Sequence, residues 1–324
     1  MREGQFIKQN KERWDGYGQA TDDPDELAKR FVNLVDDLGY AKTHYPFSKT
    51  VKYINSMAAG IYLSIYSNKK EKKNRILFFF KEELPLILYR NRKVLRFALL
   101  FFMLFMLIGI FSNWRQPSFV RGILGDEYVN MTEDNIAKGD PFGVYKDENE
   151  FLMYLQIAWN NINVTLICFM LGITCSVGTL WLLLKNGIML GAFEQMFFAH
   201  GLGLKSILVV FTHGTLEISA IIIAGGAGMV LGNSILFPRT YSRMESLKMG
   251  ARDGVKILVA LIPILSVAAF FESFVTRHTE TPVAMSMVIL GSSLVFILWY
   301  FVWYPAKVAK SAAAISHNGS GRPR

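Results

Sequence analysis

The feature that most constrains this chain is a series of long apolar runs, most of them after Val94. The first, Val94–Ser112, is almost entirely Leu, Phe, Met and Ile, with Arg96 as its one charge. At about 1.5 Å of rise per residue, a run of that length nearly matches a hydrocarbon core of about 30 Å. Lipid offers the backbone no hydrogen-bond partner, so such runs fold as helices. The mean hydropathy of +0.27, with 52% hydrophobic and 19% charged residues, excludes a disordered or collagen-like chain. Only two cysteines are present, which excludes a small disulfide scaffold. The predicted fold class is all-α: a polytopic transmembrane helical bundle of about six crossings with an N-terminal cytoplasmic helical region.

Charge sets the orientation. Residues 69–96 hold ten Lys/Arg against three Glu, immediately before the first span. Residues 113–161 hold eight acids and four bases and suit the outer face. The loop 238–256 carries five bases against two acids and suits the inner face, like Lys185. The spans are therefore expected near 94–112, 162–184, 187–202, 206–236, 257–274 and 284–303. A re-entrant pair in 187–236 is the alternative to two spans there. Residues 1–15 are charged without an apolar core, so no secretory signal is expected. The expectation is a multi-pass protein of a bacterial plasma (inner) membrane with both termini cytoplasmic. Residues 305–324 read as a disordered cytoplasmic tail, because 311–324 contain Ser, Gly and Pro.

The flank 1–93 is polar and helical. Asp22-Asp23-Pro24-Asp25-Glu26 is a helix start: a capping Asp, Pro in the first turn and acids at the positive end of the dipole. Leu27, Phe31, Leu34, Val35 and Leu38 follow at helical spacing, and Gly39 is expected to end the run. After Pro46, Val51, Ile54, Met57, Ala58, Ile61 and Ile65 form a second stripe, so a hairpin is predicted. Ile76–Phe80 and Leu84–Leu88 suit an interfacial helix. The flank has no phosphate loop or Cys/His cluster, and no nucleic-acid partner is expected. Lys69, Lys70, Lys72, Lys73, Arg90, Arg92 and Lys93 are candidate contacts to anionic lipid, or simply the positive-inside signal.

Small residues mark close helix contacts. Gly187 and Gly191 form one small-x-x-x-small pattern, and Gly228 and Gly232 another, with Gly225 beside the second; Gly214 is a further candidate. Packing within one chain is expected, with self-association as the alternative. Cys168 and Cys175, seven apart, are expected on one helical face as packing residues.

Polar residues at membrane depth are expensive and therefore informative. His213 and Glu217 share a helix face. The assigned topology brings Glu272 to the same depth, with Asn160, Asn161 and Asn163, and places Arg277 just beyond. Glu194 lies in the ambiguous third span. Three readings follow: a hydrogen-bonded lock between helices, a path for a solute, lipid or proton, and a metal-dependent hydrolase. The last lacks a second His at metal-ligand spacing, with His200 the remaining candidate. No catalytic residue, metal set or cofactor is therefore assigned, which argues against an enzyme.

The block His213-Gly214-Thr215-Leu216-Glu217-Ile218-Ser219-Ala220 and the Gly-rich run Ala224–Gly232 resemble the signature of the stage II sporulation protein M family of bacterial membrane proteins. Asn160-Asn161, Asn186-Gly187 with Gly191, and Phe271-Glu272-Ser273-Phe274-Val275-Thr276 agree, as do Leu27 to Ala41, Tyr45-Pro46, Tyr53-Ile54-Asn55 and Ile61-Tyr62 in the flank. The resemblance spans roughly residues 5–305. It implies a membrane scaffold or assembly factor, since the family's named member is similar to a scaffold for a peptidoglycan-degrading complex. The expected partners are the lipid bilayer and other envelope membrane proteins. A transporter or channel-like component is the runner-up.

Overall fold

A computed structural model of the chain describes residues 1–18, 21, 23–67, 74–142, 149–276 and 282–319. All the described secondary structure is helical. The chain divides into two compact units, Met1–Arg75 and Ile76–Arg324.

The first unit consists of α1 (Glu3–Tyr17), α2 (Pro24–His44) and α3 (Lys49–Ser67). Asp23 caps α2 by accepting from the Asp25 amide at 3.0 Å, and Pro24 occupies the first turn. Asp22 lies outside the described residues. Leu34 and Ala41 of α2 are buried with Ile54, Ala58 and Ile61 of α3. The helix does not stop at Gly39 but runs to His44. Ala41 is fully buried and Tyr40 stacks on Phe6 with centroids 5.0 Å apart, so packing outweighs the roughly 1 kcal/mol that Gly costs a helix.

Helix α1 adds a third element to the expected hairpin. Its apolar residues are too sparse for a clear stripe, but Phe6 and Trp14 are both buried in the unit's core. The Trp14 indole Nε1 donates to Asp37 Oδ2 at 2.8 Å, and Arg13 Nη2 donates to Asp37 Oδ1 at 2.8 Å. Because this unit has its own core, a fragment of residues 1–67 is expected to give a helical circular dichroism spectrum. Asp37→Ala leaves the Trp14 indole without its acceptor and takes from Arg13 its ionic one, while Asn10 Oδ1 still accepts from Arg13. Denaturant titration of that fragment should show a loss of about 1–3 kcal/mol.

The second unit opens within α4 (Arg75–Phe78) on a lead-in that continues through a π-helical turn (Phe79–Glu83) and α5 (Leu84–Arg90). Then come α6 (Arg92–Arg115), α7 (Phe119–Leu124), α8 (Asp126–Ala137), α9 (Glu150–Met170), α10 (Val177–Ala199), α11 (Gly203–Leu236), α12 (Arg243–Phe271), α13 (Val283–Leu298) and α14 (Tyr304–Gly319). Five helical stretches are long and apolar enough to cross a membrane: Arg92–Arg115, Glu150–Thr174, Gly203–Leu236, Arg243–Thr276 and Val283–Ala314. Helix α10, 23 residues long, is the sixth long helix and packs along α6. Helix α11 touches α6, α9, α10, α12 and α13, and most of its residues are buried.

The expected span 162–184 is not one helix. Helix α9 starts at Glu150, and the chain breaks at a 3-10 turn, Leu171–Thr174, followed by Cys175 at φ 54° and Ser176 at φ 72°. Two consecutive non-glycine residues in the left-handed region are strained and persist only under tight packing. Here α11 supplies it. A Cβ on Gly172 would lie 2.1 Å from the Gly228 carbonyl oxygen, and one on Gly232 would lie 2.0 Å from Ser176 Oγ. Lys185 is consequently an exposed residue within α10, not the end of a span. Cys168 is buried in α9 and Cys175 sits in the turn, so they do not share a helix face; both are free thiols.

Glycine also sets the distance between α6 and α10. A Cβ on Gly191 would lie 2.0 Å from the Met106 carbonyl oxygen, and one on Gly187 would lie 2.9 Å from that of Phe102. Gly225 and Gly228 are equally crowded, by Leu183 and by Thr179 with the Cys168 carbonyl. Gly214 differs: its nearest atoms are Ile218 and Val210 side chains of its own helix, at 3.5 Å and beyond, so it is not a helix-packing contact. Gly191→Val should therefore destabilise the protein in detergent by about 1–3 kcal/mol or more. Gly214→Ala should be neutral or stabilising, by up to about 1 kcal/mol. Thermal melts of the two variants make the comparison.

The lead-in belongs to the bundle. Leu84, Ile87 and Leu88 are buried in its core. Tyr300 Oη donates to the Phe80 carbonyl at 2.8 Å, and Tyr304 Oη donates to that of Lys81 at 3.0 Å. Tyr300 lies in a second π-helical turn, Trp299–Trp303. Lys256 pairs with Glu83, and Arg90 pairs with Asp253. At the chain's end, α14 continues to Gly319, where irregular chain was expected. The Ala312-Ala313-Ala314 run has the highest helix propensity and carries it.

The acidic loop 113–161 is also more ordered than expected. Asn113, buried at the end of α6, donates to the Ala192 carbonyl at 3.3 Å and accepts from the Val120 amide at 3.1 Å. That pins α7 to α10, where Val120, Val129, Ala192, Met196 and Phe197 form a small core.

Candidate functional site

Three of the membrane unit's helices converge on one polar cluster. His213 and Glu217 lie one turn apart on α11. Glu272 begins a π-helical turn, Glu272–Thr276, that continues α12. One ligand atom from each of His213, Glu217 and Glu272 lies within 4.8 Å of the others, and all three side chains are partly buried. On the third helix, α9, Asn161 is 4% exposed and faces the Glu217 carboxylate. Its Nδ2 has no hydrogen-bond partner among the described residues.

The π-helical turn shapes this site. Such turns insert one residue into an α-helix, re-aim side chains and free carbonyls, and they recur at functional sites. Thr276 Oγ lies 3.3 Å from His213 Nδ1 and 3.0 Å from the Glu272 carbonyl oxygen. One hydroxyl thus joins the histidine ring to the backbone of the helix that carries Glu272. Ser273, fully buried in the same turn, has an Oγ without a hydrogen-bond partner among the described residues. The sequence offers Thr276 and Ser273 only within the Phe271–Thr276 block of the resemblance, not as site residues, because no residue pattern announces a π-helical turn.

The other candidates are placed differently. Asn160 is exposed, and its Nδ2 donates to Asn161 Oδ1 at 3.5 Å. Asn163 is partly buried on α9. Glu194 is 4% exposed on α10; its Oε2 accepts from Ser206 Oγ at 3.0 Å, while Oε1 has no partner among the described residues. Ser206 is seven residues before His213, about 10 Å along α11, so Glu194 is not a member of the cluster. His200 caps α10, is exposed, and bonds through Nδ1 to the Met196 carbonyl at 2.8 Å. Arg277 lies outside the described residues, as do Lys69, Lys70, Lys72 and Lys73. Arg90 is engaged by Asp253. Arg92 donates to the Tyr89 carbonyl at 2.8 Å and lies over that ring at 3.9 Å from the centroid, while Lys93 is exposed.

A cavity of about 1160 Å³ opens between α6, α11 and α13. Its walls are mainly apolar, with Arg92 and Arg96 near one end and Glu194 and Gln195 near the other. His213, Glu217 and Glu272 do not line it.

Glu217 and Glu272 have no cationic partner among the described residues, so their mutual repulsion acts at short range in a poorly hydrated setting. Removing either carboxylate relieves it, and removing the second then gains less. Glu217→Gln and Glu272→Gln should therefore be non-additive by about 0.5–3 kcal/mol in thermal melts in chelator-treated detergent buffer. Strict additivity would show that the two groups do not interact.

This architecture defines a multi-pass helical membrane protein with a polar cluster enclosed by three helices. Residues 98–277 match the family described as Stage II sporulation protein M. The match covers more than half of the chain, including the His213–Glu217 block and Glu272, and the chain belongs to that family. Residues 4–67 match a second family, described only as a domain of unknown function, DUF8413. No curated protein and no solved structure matches the chain.

Proposed function

We propose that this protein is a scaffold of the bacterial envelope that gathers other membrane or envelope proteins around its helical bundle. The observation that carries the reading is the separately packed unit Met1–Arg75, which leaves Val32, Val35 and Phe47 exposed although it has a complete core of its own. Val32 and Val35 lie one turn apart on α2, and a pair of apolar residues left exposed outside its buried stripe suits a partner surface. Membership of the Stage II sporulation protein M family supports the same reading, because the family's named member resembles an assembly scaffold. The positive charge around 75–96 and 238–256 supports a plasma-membrane location with both termini cytoplasmic.

A transport role is the second reading, and the His213–Glu217–Glu272 cluster favours it. The cavity weighs against it, since its walls are apolar and it does not include the cluster. A hydrolase meets the same objection, because substrate would need access to that cluster.

Two measurements test the scaffold reading. Val32→Glu combined with Val35→Glu should leave the protein in the membrane and remove its co-purifying envelope proteins. An unchanged partner set would refute a partner surface on α2. Single-cysteine labelling in a Cys168→Ala, Cys175→Ser background should reach α7–α8 from outside intact cells and the 238–242 turn only after permeabilisation.

A further inference from the structure

We propose that His213, Glu217 and Glu272 form a binding site for a divalent first-row transition metal ion of the Zn²⁺ class. One imidazole and two carboxylates are a ligand set such ions accept, with water completing the shell. The three donor atoms lie within 4.8 Å of one another. An ion reaching its ligands at about 2.0–2.2 Å in tetrahedral geometry holds its donors about 3.3–3.6 Å apart. Side-chain rotations that shorten the longest separation by roughly an ångström close the set.

Two further observations point at a ligand. The first is the histidine's orientation. If Thr276 Oγ–H donates to the Glu272 carbonyl oxygen, its lone pair accepts from His213 Nδ1–H. That tautomer leaves the Nε2 lone pair available to a metal, the arrangement in which metal-bound histidines are usually held. The second is Asn161, which is buried at 4% exposure, faces Glu217, and has an Nδ2 without a hydrogen-bond partner within 3.5 Å among the described residues. An Nδ2–H bond to the carboxylate oxygen turned away from the metal would orient Glu217. The cluster also lacks any cationic side chain among the described residues, and a dication balances two carboxylates at membrane depth.

The site would pin α11 to the π-helical end of α12, with Asn161 of α9 in support. It does not depend on the scaffold reading: a scaffold without metal and a metal site without partners are separate experimental results.

The test uses full-length protein in detergent without a polyhistidine tag. It is stripped with a chelator, loaded with Zn²⁺, Mn²⁺ or Co²⁺ separately, and freed of excess ion by gel filtration. Elemental mass spectrometry should find about one Zn²⁺ or Co²⁺ per chain, and the melting temperature should rise on loading. The Co²⁺ form should show the visible absorption of a low-symmetry nitrogen–oxygen site. His213→Gln and Glu272→Gln should each abolish retention, whereas His200→Gln should not change it. Should either ligand variant fail to fold, Thr276→Val and Asn161→Leu replace it; each should weaken affinity about 10–100-fold. Stripped protein that retains no ion, or retention unchanged in the ligand or supporting variants, would overturn the proposal.

Discussion

The packing of the membrane unit depends on α11. Each of the other long helices rests on it, and it meets them with different chemistry on different stretches. At Gly225, Gly228 and Gly232 it offers no side chain, so α9, α10 and the strained turn at Cys175–Ser176 pack directly against its backbone. Near its other end it offers His213 and Glu217 to the end of α12. Water cannot drive helix association in lipid, so close van der Waals approach and polar pairing must do it. This helix separates the two along its length.

Much of this was legible in the sequence, because its signals were strong and local. The helical class follows from the apolar runs. Counting Lys and Arg between runs places His213, Glu217 and Glu272 at one depth, and in the structure one ligand atom of each lies within 4.8 Å of the others. Cap chemistry at Asp23 was equally plain. What stayed hidden depends on tertiary context. Charge suggested that a span ends at Lys185, yet the break comes ten residues earlier, where Gly172 and Ser176 meet α11. Gly39 reads as a stop, but α2 continues because Tyr40 and Ala41 pack in the core. Helix α1 has too few apolar residues to show a period, and its place is fixed by two aromatic side chains and one carboxylate.

The basic segment before α6 illustrates the limit of reading charge as a lipid signal. Arg90 and Lys256, both from strongly basic stretches, are each engaged by a carboxylate on another part of the unit, Asp253 and Glu83 respectively. Positive-inside counting reads this charge as an orientation signal, but part of it also fastens the lead-in to α12. The two roles are compatible, since orientation depends on which side the charge stays and not on what it touches.

The facing π-helical turns carry a consequence for biogenesis. Tyr300 and Phe80 are separated by 220 positions in sequence, and Tyr304 and Lys81 by 223. During synthesis the lead-in emerges long before the tyrosines that satisfy its carbonyls. Met1–Arg75 is complete by then and can fold as a unit ahead of the bundle. Tyr300 and Tyr304 therefore act as a late latch: their bonds form only once α13 and the turn after it exist, and a chain interrupted before α13 leaves the Phe80 and Lys81 carbonyls without these two donors.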